Sequence, residues 1–215
     1  YESLTLSIFE NNKLKKIYSS TTSDSLGYFY GRITGLLGYE RKYEGKVTGL
    51  AAHGDPKKAK SLMNKMITVK NGQLLANLGE FYKPYIKPYS KNLIKIINTF
   101  KKEDIAAAAQ EHLTWCIIEI IKFYSKKMQI RKINLMLAGG TFANVKLNEA
   151  LKHLPFIKNV FVQPHMSDGG LCLGACCLLL NEKKYKIHKL KDMKLGPVVN
   201  NNDFLKKYKN SNKYL

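Results

Sequence analysis

Arginine is scarce in this 215-residue chain, although basic residues are abundant. Only Arg32, Arg41 and Arg131 are arginines among the 36 basic residues, which oppose 16 acidic ones and give a net charge of +20. Arginine is favoured for bidentate phosphate contacts, whereas lysine more often carries a solvated surface charge. The composition therefore favours a lysine-rich solvated surface, and a nucleic-acid partner is the second interpretation.

Long apolar runs are also lacking. The longest, Leu171 to Leu180, has about half of the roughly 18–20 residues that span a bilayer, so we expect no membrane segment. No leader pattern opens the sequence, and the absence of a starting methionine indicates a piece of a longer protein. With 45% apolar and 24% charged residues, the chain should fold into one or two globular domains.

Cysteines with metal-ligand spacing are absent. Four cysteines are present and none forms a CxxC pair: Cys116, Cys172, Cys176 and Cys177. Three of them lie in an apolar run, where cysteine behaves as a small hydrophobic residue. We expect unpaired thiols and a reducing, cytoplasmic location.

The first hundred residues combine a hairpin, a helix and a lysine-rich segment. Alternating residues from Leu4 to Ile8 and from Leu14 to Tyr18 predict two strands around the turn at Asn11. Apolar spacing predicts a helix over 25–39, ended by a glycine. Residues 44–56 have no regular period. We interpret 57–102 as an insertion of small helices and loops on the rim of the core.

The second half begins with the clearest helix of the chain. Residues Glu103 to Met128 carry a buried stripe, and Asp104 is expected to cap the helix. We interpret His112 within it as a surface or partly packed residue rather than a ligand.

Two strand–turn–helix units follow. The strand from Ile133 to Ala138 leads through a glycine turn to a helix over 142–154. The strand from Asn159 to Gln163 leads through a second glycine turn to a helix that ends near Leu180. Such units imply adjacent parallel strands, with both turns at one edge of the sheet, where open α/β folds bind ligands.

The first of these turns has features of an anion site. Gly139 and Gly140 allow backbone amides to approach a ligand, and the following helix N-terminus favours negative charge. Asn144 either reaches a bound base or ribose or makes a local backbone bond. A purely structural turn is the alternative.

The second turn contains a carboxylate. Asp168, beside Gly169, either ligates a metal that neutralises phosphate oxygens or caps the next helix. His165 lies three residues earlier and is a second candidate ligand or an ordinary loop histidine. Lys46 stands beside a glycine, as in many phosphate sites, but the P-loop pattern is absent.

Several segments occur together in the order typical of one family. They resemble the O-carbamoyltransferases of the NodU and cephem carbamoyltransferase family, and the similarity covers most of residues 1–197. The segments that carry it are Ser25 to Gly38, Glu44 to Gly54, Leu137 to Asn144, Val162 to Pro164, Asp168 to Ala175 and Leu195 to Pro197.

The resemblance implies an α/β fold, an RNase H-like half of an actin-like ATPase (acetate kinase/sugar kinase/Hsp70) fold. Its mixed sheet would be flanked by helices, with the lysine-rich helical insertion at 57–102. Residues 1–195 would form the second half of the catalytic domain, and 196–215 a linker toward a C-terminal YrdC-like domain. The N-terminal half, with a His-x-x-x-His helix, would precede this chain.

The resemblance also assigns roles to site residues. Asp168 and Lys46 would be catalytic, and Asp168 with His165 would contact a divalent metal, usually iron. A third group would bind the cofactor, ATP or carbamoyladenylate: Gly27, Gly139, Gly140, Asn144 and Gly169. The chain departs from the family pattern at His53, where tyrosine is usual, and at His165, where a small residue is usual.

The activity that the resemblance implies is ATP-dependent carbamoyl transfer. Carbamoyl phosphate and ATP would give carbamoyladenylate, whose carbamoyl group passes to an acceptor hydroxyl, and this piece alone would be inactive. One alternative is a relative of tRNA threonylcarbamoyl-adenosine synthase, which the +20 charge suits. The other is a non-catalytic nucleotide-binding module.

Overall fold

The computed structural model describes residues 1–84, 88–186 and 202, and it has a mixed α/β architecture. Residues 1–169 form one unit and residues 170–215 another. The described strands pair as three separate two-stranded sheets, so the single mixed sheet expected from the sequence is not what the described residues form.

The chain opens with the predicted hairpin. Strands β1 (Glu2–Glu10) and β2 (Lys13–Thr21) pair antiparallel around Asn11 and Asn12, whose φ angles are 51° and 57°. Two consecutive positive φ angles define the turn type that matches the twist of a hairpin, and asparagine tolerates them.

The predicted helix follows as α1 (Leu26–Leu36). Ser25 caps it, because its side chain accepts a hydrogen bond from the backbone N–H of Tyr28 at 3.2 Å. Phe29 and Ile33 are fully buried on its inner face. Gly38, at φ 87°, stands beyond its C-terminus.

The stretch without a regular period is helical. Helix α2 (Glu44–Leu50) continues into a 3₁₀ turn at Ala51–His53, and Val47 is fully buried. Only one apolar face position is deeply buried, so the apolar spacing that reveals longer helices is missing.

The lysine-rich segment contributes to the core rather than lying on its rim. It forms α3 (Pro56–Met66), an antiparallel hairpin of β3 (Ile67–Lys70) and β4 (Gln73–Ala76), and α4 (Lys91–Ile97). Met63 is fully buried. The Tyr18 hydroxyl accepts a hydrogen bond from Leu74 N at 2.8 Å, which joins this hairpin to the first one.

Helix α5 (Lys102–Lys127) packs against α1, α2, α3, α6, β3 and β4. Asp104 does not cap it, which corrects the sequence prediction. Instead, Asp104 Oδ1 accepts a hydrogen bond from Asp55 N at 2.8 Å, and its Oδ2 lies 3.3 Å from Lys58 Nζ. The side chain therefore fixes the beginning of α3 against α5.

His112 is a core residue, which is also a correction. The residue is 4% exposed, and its Nε2 lies 2.7 Å from the carbonyl oxygen of Ile67. Its ring stacks near those of Phe29 and Trp115, with centroids 5.7 and 5.3 Å away. The interpretation that it is not a ligand is compatible with this position, but the surface location was wrong.

The last part of the first unit is the predicted parallel pair. Strands β5 (Ile133–Leu137) and β6 (Ile157–Val162) pair parallel, which confirms the pairing expected from the strand–turn–helix pattern. Between them lie a 3₁₀ turn (Gly140–Ala143) and α6 (Val145–Lys152).

The second unit contains α7 (Gly170–Glu182), where the sequence predicts a helix. All four cysteines are free, as expected. No helix in the described part of the chain is both long and apolar enough to cross a membrane. The segment Leu195 to Pro197 lies outside the described residues, and so does the predicted linker at 196–215 apart from Asn202.

Candidate functional site

The two glycine turns meet, as the parallel pairing requires. Gly139 N donates a hydrogen bond to Met166 O at 2.6 Å, and Gln163 N donates to Leu137 O at 2.9 Å. The turns therefore leave the carboxyl ends of β5 and β6 side by side, the edge at which α/β folds bind ligands.

Both turns line one cleft of about 1160 Å³. Its walls also include α1, α2 and the segment between them. Both turns thus lie at one edge of the sheet, as the strand–turn–helix units predict. This volume lies somewhat above the range of about 300–1000 Å³ that is usual for small-molecule and cofactor sites. Residues from the site predictions that line it are Gly27, Gly140, Asn144 and Asp168.

The first turn is built around a glycine conformation. Gly139 has a φ of 105°, which favours glycine, and a 3₁₀ turn starts at Gly140. Asn144 is the N-cap of α6, because its Oδ1 accepts a hydrogen bond from Leu147 N at 3.0 Å. The local backbone bond that the sequence left as an alternative is therefore present.

Asn144 also belongs to a polar network beneath the cleft. Its Nδ2 donates to Gln110 Oε1 at 2.8 Å, and Gln110 Nε2 donates back to Asn144 Oδ1 at 3.2 Å. The Tyr30 hydroxyl donates to Gln110 Oε1 at 2.9 Å and lies 3.0 Å from Thr48 Oγ1. The network joins α1, α2, α5 and the start of α6, so it holds the first turn in place.

The buried phenol in this network stays protonated at neutral pH. Burial raises the pKa of Tyr30 above its ordinary value, and the hydrogen bond with Thr48 opposes that shift. Tyr30, Thr48 and Asn144 also line the cleft. Sequence reasoning missed Tyr30, Thr48 and Gln110. The sequence carried a signal for Tyr30 alone, because the apolar spacing of α1 places this residue on the inner face of the helix.

Asp168 lies in the second turn, exposed, and lines the cleft together with Ser167. The His165 ring packs against Gly169, so closely that a side chain there would collide with the ring. Neither His165 nor Gly169 is among the residues that line the cleft.

A metal ion would find an incomplete ligand set in these residues. Within the ranges that the structure describes, no three His, Cys, Asp or Glu side chains come together. Asp168 and His165 offer two ligands at most, and four is the usual minimum for a structural zinc site, with six or more for calcium. The described residues do not form a metal site on their own.

Lys46 lies on α2, and its neighbours Glu44 and Gly45 line the cleft whereas Lys46 does not. Its Nζ lies 4.4 Å from the ring centroid of Tyr43 and 5.8 Å from that of Tyr39, so the cation is held on aromatic faces. Gly27, near the N-terminal end of α1, faces the first turn: a Cβ built there would lie 3.5 Å from Thr141 Oγ1.

The fold and the cleft define an α/β protein with a cleft at the carboxyl edge of a parallel strand pair. The family model described as the carbamoyltransferase N-terminus matches residues 2–177. The chain belongs to this carbamoyltransferase family, which confirms the resemblance that the sequence motifs indicated.

Individual relatives agree with the family match. The chain is 30% identical over 185 residues to nodulation protein NolNO of Sinorhizobium fredii, covering 82% of the chain and 26% of that protein. It is 28% identical over 198 residues to nodulation protein NolO of Bradyrhizobium diazoefficiens, covering 87% and 34%. An uncharacterized protein of Methanocaldococcus jannaschii is 32% identical over 174 residues, covering 79% and 33%. The chain thus spans 26% to 34% of these curated relatives.

Proposed function

We propose that the whole protein transfers a carbamoyl group from carbamoyl phosphate, through carbamoyladenylate, to an acceptor hydroxyl. The observation that carries the proposal is the single cleft lined by both glycine turns, in a chain that belongs to the carbamoyltransferase family. The cleft is large enough for an adenylate and part of a second substrate.

In this proposal the first turn binds the phosphate of the adenylate. Gly140 leaves space for the ligand, since no atom lies within 4 Å of a Cβ built there. The backbone amides at the beginning of the turn and of α6 favour an anion. Asn144 contributes to the shape of the site through its pair with Gln110, which keeps the amide planes fixed.

The transfer step exchanges one acyl bond for another. The acceptor oxygen forms a bond to the carbamoyl carbon, the bond from that carbon to the phosphate oxygen breaks, AMP leaves, and the hydroxyl proton is released. Asp168 would act at this end of the cleft, and Lys46 would support nucleotide binding from α2. A divalent metal, iron by resemblance, would be contacted by Asp168 and His165 together with ligands from the N-terminal half of the polypeptide, and it would neutralise phosphate oxygens.

The wider architecture is part of the same proposal. The chain would be the second RNase H-like half of an actin-like catalytic domain. Its partners would be an N-terminal half and a C-terminal YrdC-like domain of the same polypeptide. Relatives three to four times as long as the aligned part leave room for both.

A matched pair of glycine substitutions tests the cleft as the adenylate site. Gly140 and Gly79 both have open space where a Cβ would lie, but only Gly140 lines the cleft. In the full-length polypeptide, Gly140→Val should weaken AMP binding about tenfold or more in isothermal titration, and Gly79→Val should leave it unchanged. Equal affinities in the two variants would remove the turn from the nucleotide site.

The catalytic part needs a transfer assay on the full-length polypeptide. Asp168→Ala should abolish carbamoyl transfer and keep the melting temperature, because Asp168 is an exposed loop residue. Glu10→Ala, an exposed carboxylate at the tip of the first hairpin, is the control. Undiminished transfer by Asp168→Ala would contradict a catalytic role of Asp168. Absence of transfer by the wild-type polypeptide would favour a non-catalytic nucleotide-binding module.

A further inference from the structure

The cleft concentrates the rare arginines of the chain. Three of the 36 basic residues are arginines. Two of them, Arg32 and Arg41, line the cleft, and among the described lining residues Lys42 is the single lysine. A surface that merely followed the composition of this chain would carry many more lysines than arginines. The guanidinium fork suits two parallel hydrogen bonds to a carboxylate or phosphate, which a lysine does not provide.

Arg32 is held in a defined position. Its guanidinium carbon lies 3.7 Å from the ring centroid of Tyr89, a stacked arrangement, and the Tyr89 hydroxyl donates a hydrogen bond to the Arg32 carbonyl oxygen at 3.0 Å. Burial lowers the pKa of Arg32, but a guanidinium stays charged at neutral pH. A half-buried, stacked arginine loses less side-chain entropy when it binds an anion.

Two of the acidic residues that line the cleft already have partners. The Glu2 carboxylate is paired with Lys16, and Glu44 Oε1 accepts a hydrogen bond from Lys42 N at 3.4 Å. Asp168 is the remaining acid, in the turn that follows β6. The described lining residues thus carry three basic and three acidic side chains, and Glu44 keeps its charge because a backbone N–H does not neutralise it. Arg32 and Arg41 therefore stand out by the forked geometry of their guanidinium groups and not by a net charge of the cleft.

The arginines are displaced along α1 from the glycine turn. Gly27 stands next to Thr141 of the first turn, and Arg32 lies five residues further along the helix, an advance of about 7–8 Å. Arg41 follows beyond the end of α1. An adenylate phosphate seated on the glycine turn leaves this second end of the cleft for another ligand.

We infer that Arg32 and Arg41 bind an anionic group of the acceptor, so that the acceptor is a hydroxyl compound that carries a carboxylate or a phosphate. This inference rests on the proposed function, because it assigns the glycine end of the cleft to the adenylate donor. It adds a substrate class and two specificity residues, with Arg32 stacked on Tyr89 as the fixed member of the pair.

The test measures anion binding to the full-length polypeptide by isothermal titration, at constant ionic strength. Inorganic phosphate and malonate are the probes, each with and without saturating AMP, and chloride is the reference anion. Tighter binding of phosphate indicates an acceptor that carries a phosphate. Tighter binding of malonate indicates an acceptor that carries a carboxylate. Binding should persist when AMP is saturating, because the two anions occupy different ends of the cleft.

Arginine variants then locate the site. Arg32→Gln and Arg41→Gln should each weaken binding of the preferred probe about tenfold and leave the affinity for AMP unchanged. Arg131→Gln removes the third arginine, which is exposed and outside the cleft, and should have no effect. Arg32→Lys should recover only part of the loss, since lysine keeps the charge but not the fork.

Several outcomes would overturn the inference. One is displacement of the probe by AMP, and another is a loss of AMP affinity in the Arg32 or Arg41 variants. A third is that Arg131→Gln weakens probe binding as much as Arg32→Gln and Arg41→Gln do. The last is that neither probe binds more tightly than chloride. A wild-type protein that fails to bind AMP but binds a probe through Arg32 and Arg41 would contradict the proposed function alone. The anion site would then stand without the adenylate assignment.

Discussion

His112 is enclosed by Phe29 and Trp115 on two sides, and a carbonyl oxygen lies within hydrogen-bond distance of its Nε2. Burial holds the pKa of His112 below its ordinary value of 6.5. The Ile67 carbonyl opposes that shift, and Lys60 and Glu111 have smaller, opposite effects. The folded protein therefore keeps this imidazole neutral at pH values at which the unfolded chain has already protonated it.

This difference predicts a loss of stability in mild acid. As the pH falls below about 6.5, unfolding takes up a proton at His112, so the free energy of unfolding should fall by up to about 1.4 kcal/mol per pH unit. At pH 7 the free energy of unfolding of His112→Gln, measured by urea unfolding, should be lower than that of the wild type. Between pH 7 and pH 5.5 it should fall by less than that of the wild type. His153→Gln, at an exposed position, is the control. If the free energy of unfolding of His112→Gln falls with pH as steeply as that of the wild type, His112 is not the cause of the loss of stability in acid.

Single residues were the least predictable feature of the sequence. His112 was interpreted as a surface or partly packed residue because one polar residue does not show which face of a helix it occupies, whereas it is buried in the core. Asp104 was assigned to cap its own helix, whereas its partner, Asp55, is 49 residues away in the chain. Long-range partners of this kind follow from the packing of α3 on α5, and local sequence patterns carry no information about that packing.

At the scale of elements, long periodic segments were predictable and short ones were not. Helices α1 and α5 and the parallel pair β5 and β6 agree with their sequence patterns. Helix α2 was missed because seven residues with two glycines give no periodic signal. The hairpin of β3 and β4 was missed although Asn71-Gly72, with φ angles of 52° and 72°, is a strong signal for a two-residue hairpin turn. The two strands have only four residues each, so their alternation is weak.

Two glycines, one inside α2 and one just after it, give a prediction at the same scale. A Cβ on Gly54 would collide with the Glu103 carbonyl, where the start of α3 meets α5, whereas Gly49 has open space in a helix. Gly54→Ala should therefore lower the free energy of unfolding by about 1–3 kcal/mol, as overpacking does. Gly49→Ala should raise it by about 0.5–1 kcal/mol. Urea unfolding measures both, and equal signs for the two variants would contradict this close packing.

At the scale of the whole molecule, the location of the cleft was predictable, and the polar network that holds its first turn in place was not. The order of strands, turns and helices was enough to bring Gly140 and Asp168 to one cleft. Gln110 belongs to the clear helix α5, yet nothing in the sequence pairs it with Asn144, 34 residues later. Arg32 and Arg41 were noted only as rare residues, because their position in the cleft depends on how α1 and the segment after it lie against the turns.

The central position of α5 has a consequence for solvent exchange of amide hydrogens. Helix α5 contacts α1, α2, α3, α6, β3 and β4. Because all of these contacts must break before its amides reach solvent, the amides should exchange only through global unfolding and therefore slowly. Deuterium uptake followed by mass spectrometry should therefore be slowest in peptides covering 105–121 and fastest at the exposed tip of the first hairpin, around Asn11. If 105–121 took up deuterium as fast as the tip, α5 would open independently of the elements that surround it.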